Sequence, residues 1–374
     1  MGAMQASDLS TLGHQVIWAS FALSFVFGAI AQKTHFCTMG AVSDIVNMGD
    51  WTRLRQWALA VAVGMIGFGL LAYLGQIDPG KSLYFSKRWM WLSAALGGTL
   101  FGIGMVLASG CGSKTLVRIG SGSLKSVVVF LVMGVSGFAT MKGVTAVLRD
   151  KTVDLVGVDM PGGAGIAQLV AGMWGLSAAQ SGLACSLVLG VGLCIWALAG
   201  KSFVRGENLL AGVGLGLVLT AMWWVSGHLG HLEEHPETLE EAYLATNSGR
   251  MEAMSFVAPI AYTLDWVMFF SDKSKLITLG IASVLGVLVG SFFSAVMGKT
   301  FRWESFGGNE DVANHLAGGV LMGVGGVTAM GCTIGQGLSG LSTLSLTSIV
   351  AVAGILAGAV LGLKYQMWRL EQSI

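Results

Sequence analysis

The chain has 374 residues, 54% of them hydrophobic and only 11% charged, with a mean hydropathy of +0.73. A soluble domain carries about 25% charged residues, and a chain this poor in charge cannot cover its own surface in water, so the composition excludes an ordinary soluble enzyme and specifies a protein covered by the lipid bilayer. The net charge of +1 gives no nucleic acid a reason to bind.

A helix needs about 20 apolar residues to cross the hydrocarbon core. Apolar stretches predict spans at 16–31, 57–74, 89–108, 127–147, 183–199, 209–227, 276–297 and 348–363. No Lys or Arg precedes Ile17, so the start lacks the basic region of a cleaved secretory signal and the first stretch is expected to be retained. Two further stretches, 165–178 and 256–270, are shorter or weaker candidates, and a short glycine-rich one, 318–329, reads as a segment that enters the membrane and turns back inside protein. Trp51, Trp57, Trp223 and Trp224 read as interfacial belts, and Asp44 and Asp50 as residues of a polar loop. Asp265 is an acid either at membrane depth, where it would be functional, or at the wet interface.

Charges fall between these stretches. Lys33, Arg53 and Arg55 follow the first, and Lys201 and Arg205 precede residue 209. The loop 228–252 is acidic, with Glu233, Glu234, Glu237, Glu240 and Glu241. The positive-inside rule places Lys201 and Arg205 in the cytoplasm and the acidic loop outside. Glycine pairs four residues apart (Gly98/Gly102, Gly212/Gly216, Gly286/Gly290, Gly319/Gly323 and Gly358/Gly362) suit close helix packing.

The chain repeats itself. Residues 97–111 read GGTLFGIGMVLASGC and residues 318–332 read GGVLMGVGGVTAMGC, with nine of fifteen positions identical and a shared Gly-Cys at the end. A Gly/Ser/Thr-rich stretch and another apolar helix follow each copy. Duplicated halves are a transporter signature, with the site on interrupted helices at the repeat interface. We read one transmembrane domain over 1–374, with a first repeat at about 16–148, a second at about 209–364 and connecting helices at about 165–200.

Five cysteines at wide spacing suggest neither a disulfide framework nor a zinc site, and no metal or cofactor is expected. Cys185 and Cys194, in the run CSLVLGVGLC, read as small hydrophobes. Cys37, Cys111 and Cys332 each lie among small residues, in HFCTMG, SGCGS and MGCTIGQG. A thiol is a weak donor and a polarizable acceptor suited to a soft sulfur atom, and a helix starting after such a break points its positive end at an anion. The backbone at Gly110, Gly112, Gly331, Thr333 and Gly335 is the candidate anion contact, with His35 and Gln336 as candidate supports.

At these residues the sequence resembles the YeeE/YedE family of bacterial inner-membrane proteins, which includes thiosulfate transporters. The resemblance runs from about 27 to 363 and is carried by His35-Phe36-Cys37-Thr38-Met39-Gly40, by Gly110-Cys111, and by Gly331-Cys332-Thr333-Ile334-Gly335-Gln336-Gly337. It implies an all-α polytopic protein shaped like an hourglass, with two pseudo-symmetric halves and short re-entrant or broken helices. It also implies a path lined by Cys37, Cys111 and Cys332 along which thiosulfate passes by S–H···S contacts, and for some members a small cytoplasmic sulfur-carrier partner of the TusA type. Lys114 and Arg118 after Cys111, and the charged loop after Gly227, depart from what the family leads one to expect.

The sequence therefore leads to a multi-pass inner-membrane permease for a small inorganic sulfur anion, thiosulfate first. A selenium-species transporter of the same family and a membrane sulfurtransferase working through a Cys persulfide are the alternatives. A third reading is a channel or structural subunit in which the cysteines are incidental. The chain has no P-loop pattern, so it does not hydrolyse nucleotide by that route.

Overall fold

The computed structural model describes residues 6–372 apart from Leu176, Ser202 and Glu237. Residues 1–5 and 373–374 of the single-domain reading, and Glu237 of the acidic loop, lie outside the described residues. The chain is an all-α polytopic membrane protein. Among the described residues, eight helical stretches are long and apolar enough to cross a membrane.

The helices in chain order begin with α1 (Ala6–Lys33), α2 (Thr38–Met48), α3 (Thr52–Tyr73), α4 (Trp91–Leu107) and α5 (Gly112–Gly120). They continue with α6 (Leu124–Lys142), α7 (Val144–Lys151), α8 (Ile166–Trp174), α9 (Ala178–Leu198) and α10 (Gly206–Leu209). The last are α11 (Leu215–Trp224), α12 (Val257–Met268), α13 (Leu279–Met297), α14 (Asn309–Thr328) and α15 (Leu346–Gln372). π turns at Leu210–Gly214 and Val225–Leu229 flank α11, so 206–229 form one continuous stretch, and a third π turn covers Gly335–Gly340.

Two antiparallel pairs, β1 (Arg88–Trp89) with β2 (Val158–Asp159) and β3 (His231–Leu232) with β4 (Ala242–Tyr243), decorate one face of the bundle. The segments around them are tied together: Ser82 pairs with Met251, Lys81 pairs with Glu241, and the Arg250 guanidinium donates to the Phe85 carbonyl. We call this the hairpin face. Lys201 and Arg205 lie at the opposite face, at the other end of the 206–229 stretch. That face also holds the turn after α5, where the Leu124 N–H donates to the Glu304 carbonyl at 2.8 Å.

Glycine decides how closely the helices approach. A Cβ on Gly28 would sit 2.4 Å from the Val287 carbonyl oxygen, and one on Gly102 would sit 2.2 Å from that of Ile355. The five sequence pairs all serve such contacts, against α15, α3, α1, α6 and α4 in turn. The α4–α14 crossing is reciprocal. Gly97 packs on Gly325 and Ala329, and Gly318 packs on Gly104 and Ala108. In the sequence repeat Gly97 corresponds to Gly318, Gly104 to Gly325 and Ala108 to Ala329, so each half makes the contact that the other half makes. Large apolar side chains such as Leu131, Val188, Ile195, Phe293 and Leu361 remain exposed on the outside, where lipid covers them.

Three expectations need correction. The stretch 318–329 is not a short re-entrant segment but the second half of the 20-residue helix α14, whose polar first turns (Asn309, Glu310, Asp311) hid its length. Trp223 is no interfacial anchor. It is fully buried, its indole N–H donates to Ser342 Oγ at 3.0 Å, and its ring packs on Phe68 and Tyr84. Asp44 is not in a loop but on α2, 3.3 Å from Arg53. Asp265 is paired with Lys275 at 2.5 Å.

Candidate functional site

The three motif cysteines share one local geometry. Each lies two residues after a non-glycine residue in the left-handed region: His35 (φ 52), Ser109 (φ 56) and Met330 (φ 58). Such a residue costs about 1–2 kcal/mol and is found where the fold holds it for a purpose. Here it closes a helix. The Phe36 N–H reaches back to the Ala31 carbonyl at 3.2 Å, Gly110 to Met105 at 2.8 Å and Gly331 to Gly326 at 2.7 Å. These six-residue returns are the Schellman pattern that stops a helix and turns the chain. The cysteine then follows at the turn.

Each thiol next meets the start of a new segment. Cys37 is the N-cap of α2, and its Sγ accepts the Gly40 N–H at 3.3 Å. Cys332 repeats the arrangement, with Sγ accepting the Gly335 N–H at 3.4 Å. The Ile334 and Phe256 amides also point toward it. Cys111 caps α5, and its Sγ lies 3.3 Å from Ser113 Oγ. When a thiol sulfur accepts a backbone N–H, its own hydrogen turns away from the helix and becomes the free donor.

Direction of travel orders the three. α1 and α4 run away from the hairpin face, so Cys37 and Cys111 lie in the opposite half. α14 runs toward the hairpin face, so Cys332 lies in that half. Cys111 is the common electrostatic neighbour of both others. Between them stand apolar groups. A Cβ on Gly112 would lie 3.6 Å from Phe256 Cβ and 3.7 Å from Met133 Cε. The Phe256 ring, itself fully buried, packs 5.9 Å from that of Phe27. All five cysteines are free thiols.

On the hairpin side a cavity of about 200 Å3 reaches Met330 and Gly331 and is lined by Glu252, Ser255, Tyr262 and Ser283. Burial pushes the Glu252 carboxyl above its ordinary value, even though the Ser248 N–H donates to it at 2.8 Å. Gly335 admits this wall: a Cβ there would meet Ser255 Oγ at 2.7 Å. On the opposite side a cavity of about 510 Å3 is lined by Gln32, Lys33 and His35 among others.

The cations are concentrated near Cys37 and Cys111. Arg53 is held by Asp44, and the Arg118 guanidinium donates to the Ser109 carbonyl at 2.9 Å, closing the broken end of α4. Lys114 is half-buried beside Cys37 and Cys111 and forms no ion pair among the described residues. The positions in the second repeat that match Lys114 and Arg118 are Gly335 and Ser339, so at these positions only the first repeat carries cations.

The sequence-predicted residues sort as follows. Cys37, Cys111, Cys332, Gly110, Gly112, Gly331, Thr333 and Gly335 all lie at the three breaks. Gln336 ties the third break together, donating to the Ala329 carbonyl at 2.6 Å and accepting from Ser348 at 2.5 Å. His35 sets the first break through its backbone. The sequence reasoning missed Glu252, Ser255, Phe256 and Met133, which carry no motif. It also passed over Thr38, whose signal was present because Cys-Thr occurs in both the first and third motifs.

A multi-span helical protein with thiols at three helix breaks, flanked by cavities on two sides, belongs to the class of membrane transporters. The comparisons with known proteins agree. A family model described as sulphur transport matches residues 33–361, and the chain belongs to that family. It is 27% identical over 318 residues to the thiosulfate transporter TsuA of Escherichia coli (strain K12), covering 84% of each chain. It is 26% identical over 349 residues to the thiosulfate transporter TsuA of Spirochaeta thermophila, covering 90% of this chain and 94% of that protein.

Proposed function

We propose that this protein imports thiosulfate across the inner membrane of a bacterium, passing it from Cys332 to Cys111 to Cys37. The observation that carries the reading is the threefold recurrence of one break, with a free thiol at each, in a transporter whose relatives bear the name thiosulfate transporter. The reciprocal α4–α14 contact supports two halves related by an internal two-fold, with the thiols where the halves meet. The hairpin face, with its acidic loop, is outside, and Lys201 and Arg205 are cytoplasmic.

In this mechanism the anion enters the cavity beside Glu252 and Tyr262 and sheds water against the backbone amides near Gly331 and Gly335. It then hands its terminal sulfur from thiol to thiol through S–H···S contacts. Loose successive binding is what conduction requires. Phe256, Phe27 and Met133 keep water and ions without a soft sulfur from following. A small sulfur carrier of the TusA type would collect the cargo on the cytoplasmic side.

A persulfide sulfurtransferase is the competing chemistry, and the unpaired Lys114 beside two thiols favours it. Attack by a thiolate on the terminal sulfur would leave Cys–S–S⁻ and expel sulfite, so sulfite release would mark it. A selenium-bearing analogue would use the same path. The test is growth on thiosulfate as sole sulfur source, in a host lacking its own thiosulfate importers and carrying this chain. Growth that Cys111→Ala or Cys332→Ala abolishes is the expected result. Membrane-localised wild-type protein that supports no growth would overturn the reading.

A further inference from the structure

Threonine hydroxyls in buried helices of this protein have a standard partner, the carbonyl four residues back. Thr34, Thr99, Thr115, Thr140, Thr220, Thr263 and Thr328 all donate to it, at 2.7–3.1 Å. Thr38 and Thr333 do not. Their side chains are 4% and 1% exposed, and neither Oγ1 has a hydrogen-bond partner.

The cause is their position. Each is the residue directly after a motif cysteine, and the carbonyl four back, that of Thr34 or Ala329, lies just past the end of the helix before the break. For Thr333 that carbonyl, Ala329, is already taken by the Gln336 amide. A buried hydroxyl left unpaired costs free energy; among the described threonines the fold accepts this cost at Cys37-Thr38 and at Cys332-Thr333, and it leaves the hydroxyls of Ser24, Ser82, Ser283 and Ser345 unpaired elsewhere. The middle cysteine has glycine at this position, and its nearest hydroxyl, Ser113, is engaged with the thiol itself.

We propose that Thr38 and Thr333 are the oxygen-reading half of two bipartite stations, in which the cysteine thiol meets the terminal sulfur of the anion and the adjacent hydroxyl donates to one of its oxygens. This rests on the thiosulfate reading above and adds what makes the path selective. The ligand class is an anion with a soft sulfur at one end and hard oxygens at the other. Sulfate offers the oxygens without the soft end, and hydrosulfide offers sulfur without oxygens. Each satisfies half of the station. A site that leaves a buried donor unpaired when the wrong ligand binds discriminates more strongly than an apolar pocket does.

The test uses the full chain with Thr38→Val, Thr333→Val and the corresponding serine variants. Two quantities are read: initial-rate uptake of 35S-thiosulfate, and the thermal midpoint of the purified protein in detergent. Valine keeps the shape and removes the donor. We expect each valine variant to raise KM for thiosulfate roughly tenfold or more, the scale of one hydrogen bond to a charged group. The serine variants should stay near wild type. The thermal midpoint of the valine variants should be unchanged or higher, because an unsatisfied buried hydroxyl has been removed.

An unaltered KM in both valine variants overturns the inference. So does a drop in uptake matched by a lowered midpoint, which would make the hydroxyls structural. Wild-type protein that takes up no thiosulfate would bring down the transport reading itself, so the two failures are told apart by the wild-type control.

Discussion

The Cys332 sulfur accepts a hydrogen bond from the Gly335 amide at 3.4 Å, so under the proposed mechanism the thiol serves both to tie down the next segment and as a soft contact for the anion. The two roles separate on substitution. Serine caps helix starts better than alanine, so Cys332→Ser keeps the break and loses only the soft atom, whereas Cys332→Ala loses both. We expect thiosulfate uptake to fall at least about tenfold in both variants. Cys332→Ser should stay near the wild-type thermal midpoint, and Cys332→Ala should lose about 0.5–2 kcal/mol of stability. Full uptake by Cys332→Ser would mean that a hard hydroxyl serves as well as a thiol, and the soft-sulfur argument would be lost.

What the sequence made legible follows from which forces write themselves locally. A span is a run of apolar residues, so most spans could be read directly. The Gly97–Cys111 and Gly318–Cys332 copies exposed the two later breaks because glycine and cysteine are spelled out there. Helix α14 was truncated in that reading because Glu310, Asp311 and His315 look like loop, whereas Lys125 pairs with Asp311 and Asp311 with His315. Trp223 looked interfacial because its partner, Ser342, is 119 residues away. Phe256 and Glu252 are ordinary residues brought beside the breaks by long-range packing, and no local pattern announces that.

Glu252 gives a pH dependence. It lines the cavity on the hairpin side, and burial raises its carboxyl pKa. The Tyr262 phenol lines the same cavity, the Tyr84 phenol is an electrostatic neighbour, and Arg250 is engaged with the Phe85 carbonyl. At low pH the carboxyl is neutral and the cavity accepts a dianion. As pH rises past the raised value, which lies above the ordinary range near 4.3, the carboxylate repels it. Initial uptake should therefore fall from acid toward alkaline pH in wild type, and Glu252→Gln should flatten that slope. An identical pH profile in Glu252→Gln would exclude the carboxyl as the cause.

Lys114 supplies a charge that the matching position of the other half, Gly335, lacks. Its ammonium is half-buried with no ion-pair partner among the described residues, next to Cys37 and Cys111. A buried charge without a counterion is costly, and the proposed dianionic cargo would supply one. Lys114→Met should raise KM for thiosulfate by about tenfold, a modest share of the attraction between two charges near a protein surface. Lys114→Arg should keep most of the affinity. If Lys114→Met also halts sulfite release while wild type produces it, the persulfide chemistry gains ground over simple passage.

Gly97 and Gly318 test the two-fold relation directly. A Cβ on Gly97 would lie 2.4 Å from the Ala329 amide nitrogen, and one on Gly318 would lie 2.6 Å from that of Ala108. In both cases the obstruction is backbone, which cannot turn aside as a side chain can. Gly97→Ala and Gly318→Ala should each force α4 and α14 apart and cost about 1–3 kcal/mol, as overpacking does. Gly192 on α9 meets nothing within 4 Å, so Gly192→Ala is the control and should be neutral or gain up to about 1 kcal/mol. Thermal midpoints of the three purified variants decide the matter. Similar losses at Gly97 and Gly318 with none at Gly192 follow if the contact is one interface used twice. A large loss at only one of the pair would mean that the halves have diverged in how they pack, and that the shared Gly-Cys survives for the path alone.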